Sequence, residues 1–297
     1  MRQTRKKEAT LKGVKHHERT DPKKKPATST LLRSNPILYR LSKSTERAET
    51  DTATYAGIAT KTCYFLLITL AGLVAQLLVQ AAMAGEPVWQ TITVYKKFTL
   101  ALTQKEAMIV LGVLIAGFIC ELVGIFVRKT IPVTGTLYAA SQGYVISFLV
   151  FKVLNGYEYL GLEALLLTVA VVAVMSWLYS SGTIKADKKF RTVLLALLLG
   201  SVGVGVLSFI GSLIPATRPY VEMMTKNVGF SIAMDVIGLV IAALFLISDF
   251  SMIDSCVKEG YPREYEWAAA FGLVFTVIWI YLKILDLLMQ VAGKKKD

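Results

Sequence analysis

Ionisable side chains enclosed by long apolar segments are the residues of this sequence best suited to chemistry. Asp249 follows the apolar stretch 242–247, and Lys283 and Asp286 have apolar residues on both sides. Placing a charge near the centre of a bilayer costs from about 2.5 to well over 10 kcal/mol. Such a residue is therefore normally paired with a polar or oppositely charged group, or it has a functional role. Lys283 and Asp286 are three residues apart and share one helix face. We predict that Asp249, Lys283 and Asp286 form a gate on an ion or proton path.

Three further acids within apolar segments are secondary candidates for the same path. They are Glu121, Asp235 and Asp254, and we expect the last two near the ends of their segment. Lys61 also lies near the end of an apolar segment, where its long side chain can reach the interface without any special role. A structural interpretation stays open beside the ion path, in which the charges pair locally and help neighbouring helices to dock.

The sequence offers no set of residues for ordinary catalysis or for a resident metal. The only histidines, His16 and His17, lie in the polar N-terminal region, and neither an HExxH motif nor a Ser/His/Asp set exists. Cys63, Cys120 and Cys256 are far apart and form no CxxC or Cys/His spacing. We therefore expect no enzymatic activity, no catalytic residue and no cofactor.

The elements that position the candidate residues are predicted to be transmembrane helices. Apolar residues make up 54% of the chain, charged residues 18%, and the mean hydropathy is +0.54. The apolar residues gather in runs of about 20 or more, the length that crosses a hydrocarbon core of roughly 30 Å. The fold class is therefore all-α, a polytopic membrane domain over 55–291 with a short charged C-terminus at 292–297. The predicted spans lie near 56–83, 105–127, 131–151, 160–180, 190–213, 230–254 and 267–291.

Glycines within two of these runs predict close packing between helices. Small residues let helix backbones approach each other where no hydrophobic force drives association. No strand or GxGxxG pattern accompanies the glycines of the fifth run, which argues against a phosphate-binding loop. The glycines concerned are Gly112, Gly117 and Gly124 in the second run and Gly200, Gly203 and Gly205 in the fifth.

Residues 1–54 form a basic tail that we predict to be largely disordered. The tail holds 14 of the 33 Lys and Arg residues and six of the 21 acids, which gives +8 of the net charge of +12. This excess predicts a cytoplasmic N-terminus and, after seven spans, a C-terminus on the other side. Each cation near an anionic leaflet gains about 1 kcal/mol. The predicted partners are therefore the bilayer and its anionic lipids, reached through the tail, and not nucleic acid.

Seven short blocks follow one another in order between residues 34 and 291. They are SNPIL (34–38), YAGIATKT (55–62), LYAASQG (137–143), TIKADKKF (183–190), SDFSMID (248–254), EWAAAFGL (266–273) and WIYLKILD (279–286). Their order and spacing together resemble the Bax inhibitor-1 superfamily, specifically its bacterial branch with a long polar N-terminus. The resemblance implies seven helices, with a central helix surrounded by the others.

The resemblance also implies a pH-sensitive calcium leak. In such a protein an acid of the sixth helix and one of the seventh share a proton and hold the path shut, and a rise in pH separates them. Asp249 matches the sixth-helix acid, but Lys283 occupies the seventh-helix position and Asp286 follows one turn later. Gln142 similarly replaces an expected Glu. Either Asp249 forms a salt bridge with Lys283, or it pairs with Asp286, and Asp249 and Asp286 are then the candidate calcium contacts.

The predicted function is a pH-sensitive calcium or other cation leak, with calcium as the transported ion. The predicted location is a cell membrane, by the family branch a bacterial plasma membrane. A second hypothesis stays open: a non-conducting membrane regulator that acts on stress responses or membrane-protein quality control through protein partners.

Overall fold

The computed structural model describes residues 52–94, 97–184 and 186–294, and this part of the chain is dominated by helices. Most of the predicted tail, residues 1–51, lies outside the described residues, as do residues 295–297 of the predicted C-terminal segment. Eight α-helices are found in the described part: α1 Tyr55–Ala82, α2 Gln104–Phe126, α3 Ile131–Ser147, α4 Tyr159–Ser180, α5 Lys188–Leu213, α6 Arg218–Lys226, α7 Val228–Lys258 and α8 Tyr265–Lys294.

Six of the described helices, α1, α2, α4, α5, α7 and α8, are long and apolar enough to cross a membrane. The third predicted span, 131–151, corresponds to α3, whose 17 residues are continued by the six-residue π-helical segment Phe148–Val153. Pro132 occupies the first turn of α3, where its missing N–H group leaves no helical hydrogen bond unmade. The all-α polytopic architecture is therefore confirmed.

Contacts between helix ends show that successive long helices run in alternating directions. The hydroxyl groups of Tyr55 and Tyr179 donate to the carboxylate of Asp254, which joins the beginning of α1 to the ends of α4 and α7. We call this the tail-side end of the bundle. At the far end, Lys97 Nζ donates to the carbonyl oxygen of Ala292 near the end of α8. The chain therefore enters the bundle at the tail-side end, where α1 begins, and leaves it at the far end, where α8 ends.

A two-stranded antiparallel hairpin at the far end was not predicted from the sequence. It consists of β1 Gln90–Val94 and β2 Phe98–Leu102. Phe98, Leu100 and Leu102 alternate along β2 and are buried against the bundle, as the two-residue period of a strand requires. Thr103 then caps α2 through a reciprocal pair of hydrogen bonds with Glu106.

Helix α8 lies at the centre of the bundle, as the resemblance implied. Of the apolar 18-residue stretch of α8, 50% is buried inside the protein, whereas only 6% of the equivalent stretch of α5 is buried. α8 packs against α1, α3, α4 and α7. The rings of Phe65 from α1 and Tyr138 from α3 both pack edge-on against Phe271 of α8. Aromatic packing of this kind fixes the rotation of α8 relative to its neighbours.

The backbones of helices α1 and α3 approach each other closely, and two glycines permit this contact. A Cβ atom on Gly143 would lie 1.8 Å from the carbonyl oxygen of Thr69, and one on Gly72 would lie 2.0 Å from that of Ala140. Neither distance is attainable for a side chain, so both positions require glycine.

The glycines of α5 do not have the packing role that the sequence predicted. No described atom outside the local helix lies within 4 Å of a Cβ built on any of them, because α5 is peripheral and turns this face outward. The glycines concerned are Gly200, Gly203 and Gly205. The prediction holds better for α2, where a Cβ on Gly117 would meet the Ser141 hydroxyl at 2.4 Å and one on Gly124 would meet Thr134 at 3.3 Å.

Replacing Gly143 with alanine tests this close contact. The added methyl group must push α1 and α3 apart, and we expect the free energy of unfolding to fall by about 3 kcal/mol. Gly112→Ala is the matched control, because no described atom lies within 4 Å of its Cβ. Alanine there gains up to about 1 kcal/mol of helix propensity. Thermal unfolding in detergent, followed by circular dichroism, measures both, and equal midpoints for the two variants would contradict the packing assignment.

Candidate functional site

Two rows of residues at seven-residue spacing face each other between α7 and α8. Asp235, Ala242 and Asp249 lie on one face of α7, since a repeat of seven residues returns to almost the same side of a helix. The matching row on α8 consists of Thr276, Lys283 and Gln290. The two helices are antiparallel and in extensive contact. We call this contact the α7–α8 seam, and it carries polar groups at two levels.

The level nearer the far end is a hydrogen-bonded cluster around Asp235, which we call the Asp235 cluster. Lys283 Nζ donates to Asp235 Oδ1 at 2.7 Å, and Gln290 Nε2 donates to Asp235 Oδ2 at 2.5 Å. The Gln290 amide also reaches Asp286 Oδ2 at 3.3 Å. Asp235 and Gln290 are buried, so the Lys283 ammonium compensates a carboxylate that is shielded from solvent.

The level nearer the tail-side end contains Asp249. The hydroxyl group of Thr276 lies beside its carboxylate, and a Cβ atom on Gly272 would be 3.6 Å from Asp249 Oδ1. Its Oδ2 atom is enclosed and has no hydrogen-bond partner among the described residues. Because Gly272 has no side chain, the surface of α8 leaves room for the carboxylate at this point. No described cation neutralises the carboxylate.

The structure contradicts both pairings that the sequence left open for Asp249. Lys283 lies seven residues beyond Thr276, about 10 Å further along α8, and its ammonium group is bound to Asp235. Asp286 lies further still and belongs to the Asp235 cluster. The cause is the antiparallel register, which places Asp249 opposite the first half of α8 and Asp235 opposite the second. The part these residues play in an ion path stays a prediction.

An apolar layer separates the two polar levels of the seam. Asp235 and Asp249 are 14 residues apart in the sequence, which corresponds to about 21 Å along α7. Between them Ala242, Leu246 and Ile280 have no exposed surface and belong to one hydrophobic cluster. These three buried side chains therefore separate the two polar levels by an apolar layer without exposed surface.

The other two predicted acids lie outside the seam. Glu121 of α2 is partly buried and lies near Tyr138 of α3. Asp254 lies at the tail-side end, where it accepts hydrogen bonds from two tyrosines and from Lys258 Nζ at 2.7 Å. Asp254 therefore joins helix ends, in agreement with its expected place near an interface, whereas Asp235 is buried within the bundle.

Lys61 has a specific partner, so the expectation that it needs no role is wrong. Its ammonium group forms an ion pair with Glu266, the second residue of α8, whose side chain is only 1% exposed. The same carboxylate accepts hydrogen bonds from the main-chain N–H of Thr54 at 2.8 Å and from its hydroxyl at 3.2 Å. We call Thr54, Lys61 and Glu266 the N-terminal clasp. The sequence signal was two opposite charges at the beginnings of α1 and α8.

Main-chain contacts extend the clasp to the connection between α7 and α8. Thr52 forms an isolated antiparallel bridge with Pro262, and the N–H of Ala53 donates to the carbonyl oxygen of Tyr261 at 2.7 Å. Burial and the neighbouring Glu259 carboxylate raise the pKa of Tyr261 to about 12. The residues that lead into α1 are thereby fixed to the beginning of the central helix.

A second ion pair that the sequence did not indicate lies at the far end. Glu106 accepts a hydrogen bond from Lys152 Nζ at 2.8 Å as well as from the main chain of Thr103. Lys152 belongs to the π-helical segment, whose wider turn changes the direction of its side chains relative to a continuous α-helix. A regular helical period therefore cannot predict this contact.

Most of the chain matches the sequence pattern of a known protein family. A family model described as Bax inhibitor 1 like matches residues 35–293, which include α1 to α7, the two strands and nearly all of α8. No curated protein matches the chain. The matched range contains the complete α7–α8 seam and the N-terminal clasp.

A double-mutant cycle on Asp235 and Lys283 tests the Asp235 cluster. Asp235→Asn or Lys283→Met alone should lower the free energy of unfolding by about 3 kcal/mol, because each leaves a shielded charge without its counterion. The double variant should lose clearly less than the two single losses combined. Denaturant unfolding in detergent micelles measures all three.

The exposed ion pair between Lys105 and Glu86 is the control for this cycle. Lys105→Met and Glu86→Gln should each change stability by less than about 1 kcal/mol. Strictly additive effects at Asp235 and Lys283 would show that the two residues are not coupled.

Proposed function

Because the chain belongs to the Bax inhibitor-1-like family, we propose that it is a pH-controlled cation leak of a cell membrane, with calcium as the transported ion. The observation that carries the proposal is the carboxylate of Asp249, enclosed in the α7–α8 seam with no described cation to neutralise it. An intramembrane acid of this kind is costly, and such acids mark ion and proton pathways. The proposal involves no catalytic step and no cofactor.

The seam suggests how ions move. Ions would pass between the level of Asp249 and the Asp235 cluster when the apolar layer of Ala242, Leu246 and Ile280 opens. Calcium takes six to eight oxygen ligands. Asp235 and Asp286 supply carboxylate oxygens at the level nearer the far end, and Gln290 Oε1 adds an acceptor that no described group uses. Water molecules would complete the coordination.

Lys283 acts in this scheme as a tethered competitor of the transported ion. Its ammonium group occupies the position on Asp235 that a permeating cation would take. A calcium ion that enters the cluster must displace it. Lys283 would thereby keep the resting leak low without a second acid beside Asp249.

The pH control follows from competition at Asp249. In acid, a proton occupies the carboxylate and a cation gains nothing by approaching it. At higher pH the proton is released, and the negative charge attracts a cation into the seam. Flux should therefore increase as the pH rises from acid to neutral values.

The second candidate function is a non-conducting membrane regulator of stress responses or membrane-protein quality control that works through protein partners. The closed apolar layer between the two polar levels favours this candidate. Both candidates share the same membrane arrangement, for which we propose a bacterial plasma membrane and a cytoplasmic N-terminus. The basic tail, with a net charge of +8, supports that orientation and a contact with anionic lipids.

Calcium flux into liposomes that contain the purified full-length chain tests the leak. We expect flux above that of empty liposomes, with a several-fold increase between acid and neutral pH. Asp249→Asn should remove most of the pH dependence because the amide cannot exchange a proton at these pH values. Lys283→Met should raise the flux, because it removes the competing cation.

Glu163→Gln is the matched control, since it changes an exposed acid of α4 outside the seam and should leave the flux unaltered. Each variant is checked for folding by gel filtration and circular dichroism before reconstitution. If folded wild-type protein passes no more calcium than empty liposomes, the leak is wrong and the regulator hypothesis is favoured. Unchanged pH dependence in Asp249→Asn would remove Asp249 from the gate.

A further inference from the structure

A cavity of about 700 Å³ opens at the tail-side end of the bundle, apart from the α7–α8 seam. It lies between α1, the connection from α2 to α3, and the beginning of α8. We call it the tail-side cavity. Four cations and two aromatic rings dominate its wall, and these residues are Lys61, Arg128, Lys129, Arg263, Tyr265 and Trp267. One acid, Glu264, also lines it.

Two of these cations are available to an anion. Arg128 and Lys129 are exposed, and neither forms an ion pair with a carboxylate among the described residues. The guanidinium group of Arg128 instead lies 5.1 Å from the centre of the Tyr265 ring. Stacking on a ring positions a guanidinium group while leaving its N–H groups able to donate.

The opposite wall is held in place by the N-terminal clasp. The Lys61 ammonium group lies 5.3 Å from the centre of the Trp267 ring and is paired with Glu266. The charge of Lys61 is therefore largely compensated by Glu266, and these contacts hold its side chain in place in the cavity wall. Arg263 also lies near that carboxylate, with its Nε 3.8 Å from Glu266 Oε2. The positive charge that an anion meets in the cavity therefore comes mainly from Arg128 and Lys129, against the exposed acid Glu264.

The position of the cavity matches the membrane boundary. It lies where α2 ends and where α3 and α8 begin, at the level at which membrane-spanning helices reach the headgroups. Tyr265 and Trp267 occur at that level, as interfacial aromatic residues do. A bilayer crossed by these helices would place its phosphate groups near the helix ends.

We propose that the tail-side cavity binds a phosphate-bearing anion, presented by the headgroup of an anionic membrane phospholipid. The guanidinium group of Arg128 can donate two parallel hydrogen bonds to phosphate oxygens, and Lys129 adds a mobile point charge. The rings of Tyr265 and Trp267 offer an apolar surface to the glycerol and upper acyl region. Free phosphate shares the first part of this chemistry but cannot use the second.

A lipid in this cavity would be coupled to the central helix. Lys61 lines the cavity and at the same time pairs with Glu266, which fixes Thr54 to the beginning of α8. Occupation of the cavity would therefore stabilise the same end of α8 that faces Asp249.

Native mass spectrometry of the delipidated full-length chain in detergent tests the proposal. Phosphatidylglycerol is the probe and phosphatidylcholine the neutral reference. The double variant Arg128→Gln/Lys129→Gln should weaken phosphatidylglycerol binding about tenfold or more. Lys188→Gln/Lys189→Gln is the matched control, because it removes two exposed neighbouring cations from the same end of the bundle but outside the cavity. We expect the affinity of this control variant for phosphatidylglycerol to stay within about twofold of that of the wild type. Both proteins retain the basic tail.

Two further measurements make the test specific. Arg128→Lys keeps the charge but loses the planar donor pair, so it should weaken binding severalfold if the site is built as proposed. Inorganic phosphate in large excess should not displace the lipid. Equal losses in the two double variants would show diffuse attraction to anionic lipids and overturn the site. Displacement by inorganic phosphate would overturn the lipid as its occupant.

Discussion

The antiparallel contact between α7 and α8 determines where the other polar groups of the bundle can lie. Hydrocarbon provides no hydrogen-bond partners, so a polar side chain within a span must find its partner on a facing helix. The register of this contact places Lys283 and Gln290 on Asp235 and leaves Asp249 beside Thr276. A shift of one turn along α8 would break the Asp235 cluster.

The central position of α8 makes this register sensitive to the rest of the bundle. Its beginning is tied to Thr54 and Lys61 through Glu266, and its middle is enclosed by the aromatic side chains of α1 and α3. The close approach of α1 to α3 through Gly72 and Gly143 fixes the wall against which α8 lies. Glu266 at the tail-side end and Thr276 at the Asp249 level therefore lie on one continuous helix.

In the leak that we propose, the polar levels and the apolar layer between them have different roles. Carboxylates at Asp249 and Asp235 can attract ions, but they cannot close a path by themselves because both are small and hydratable. Leu246 and Ile280 exclude water from the layer between them. A closed state made of apolar contacts and an attractive site on each side is a physical arrangement that a modest helix movement can switch.

The sequence by itself determined the helical membrane architecture, because apolar runs long enough to cross a bilayer have no stable soluble alternative. It also identified Asp249, Asp235, Lys283 and Asp286 as residues that need an explanation, since a buried charge is costly wherever its partner lies. Only the tertiary structure decided the partners. Spacing along one helix shows which residues share a face, but the register between two helices depends on packing across the whole contact. That is why Lys283 meets Asp235 and not Asp249, and why Glu266 was missed as the partner of Lys61.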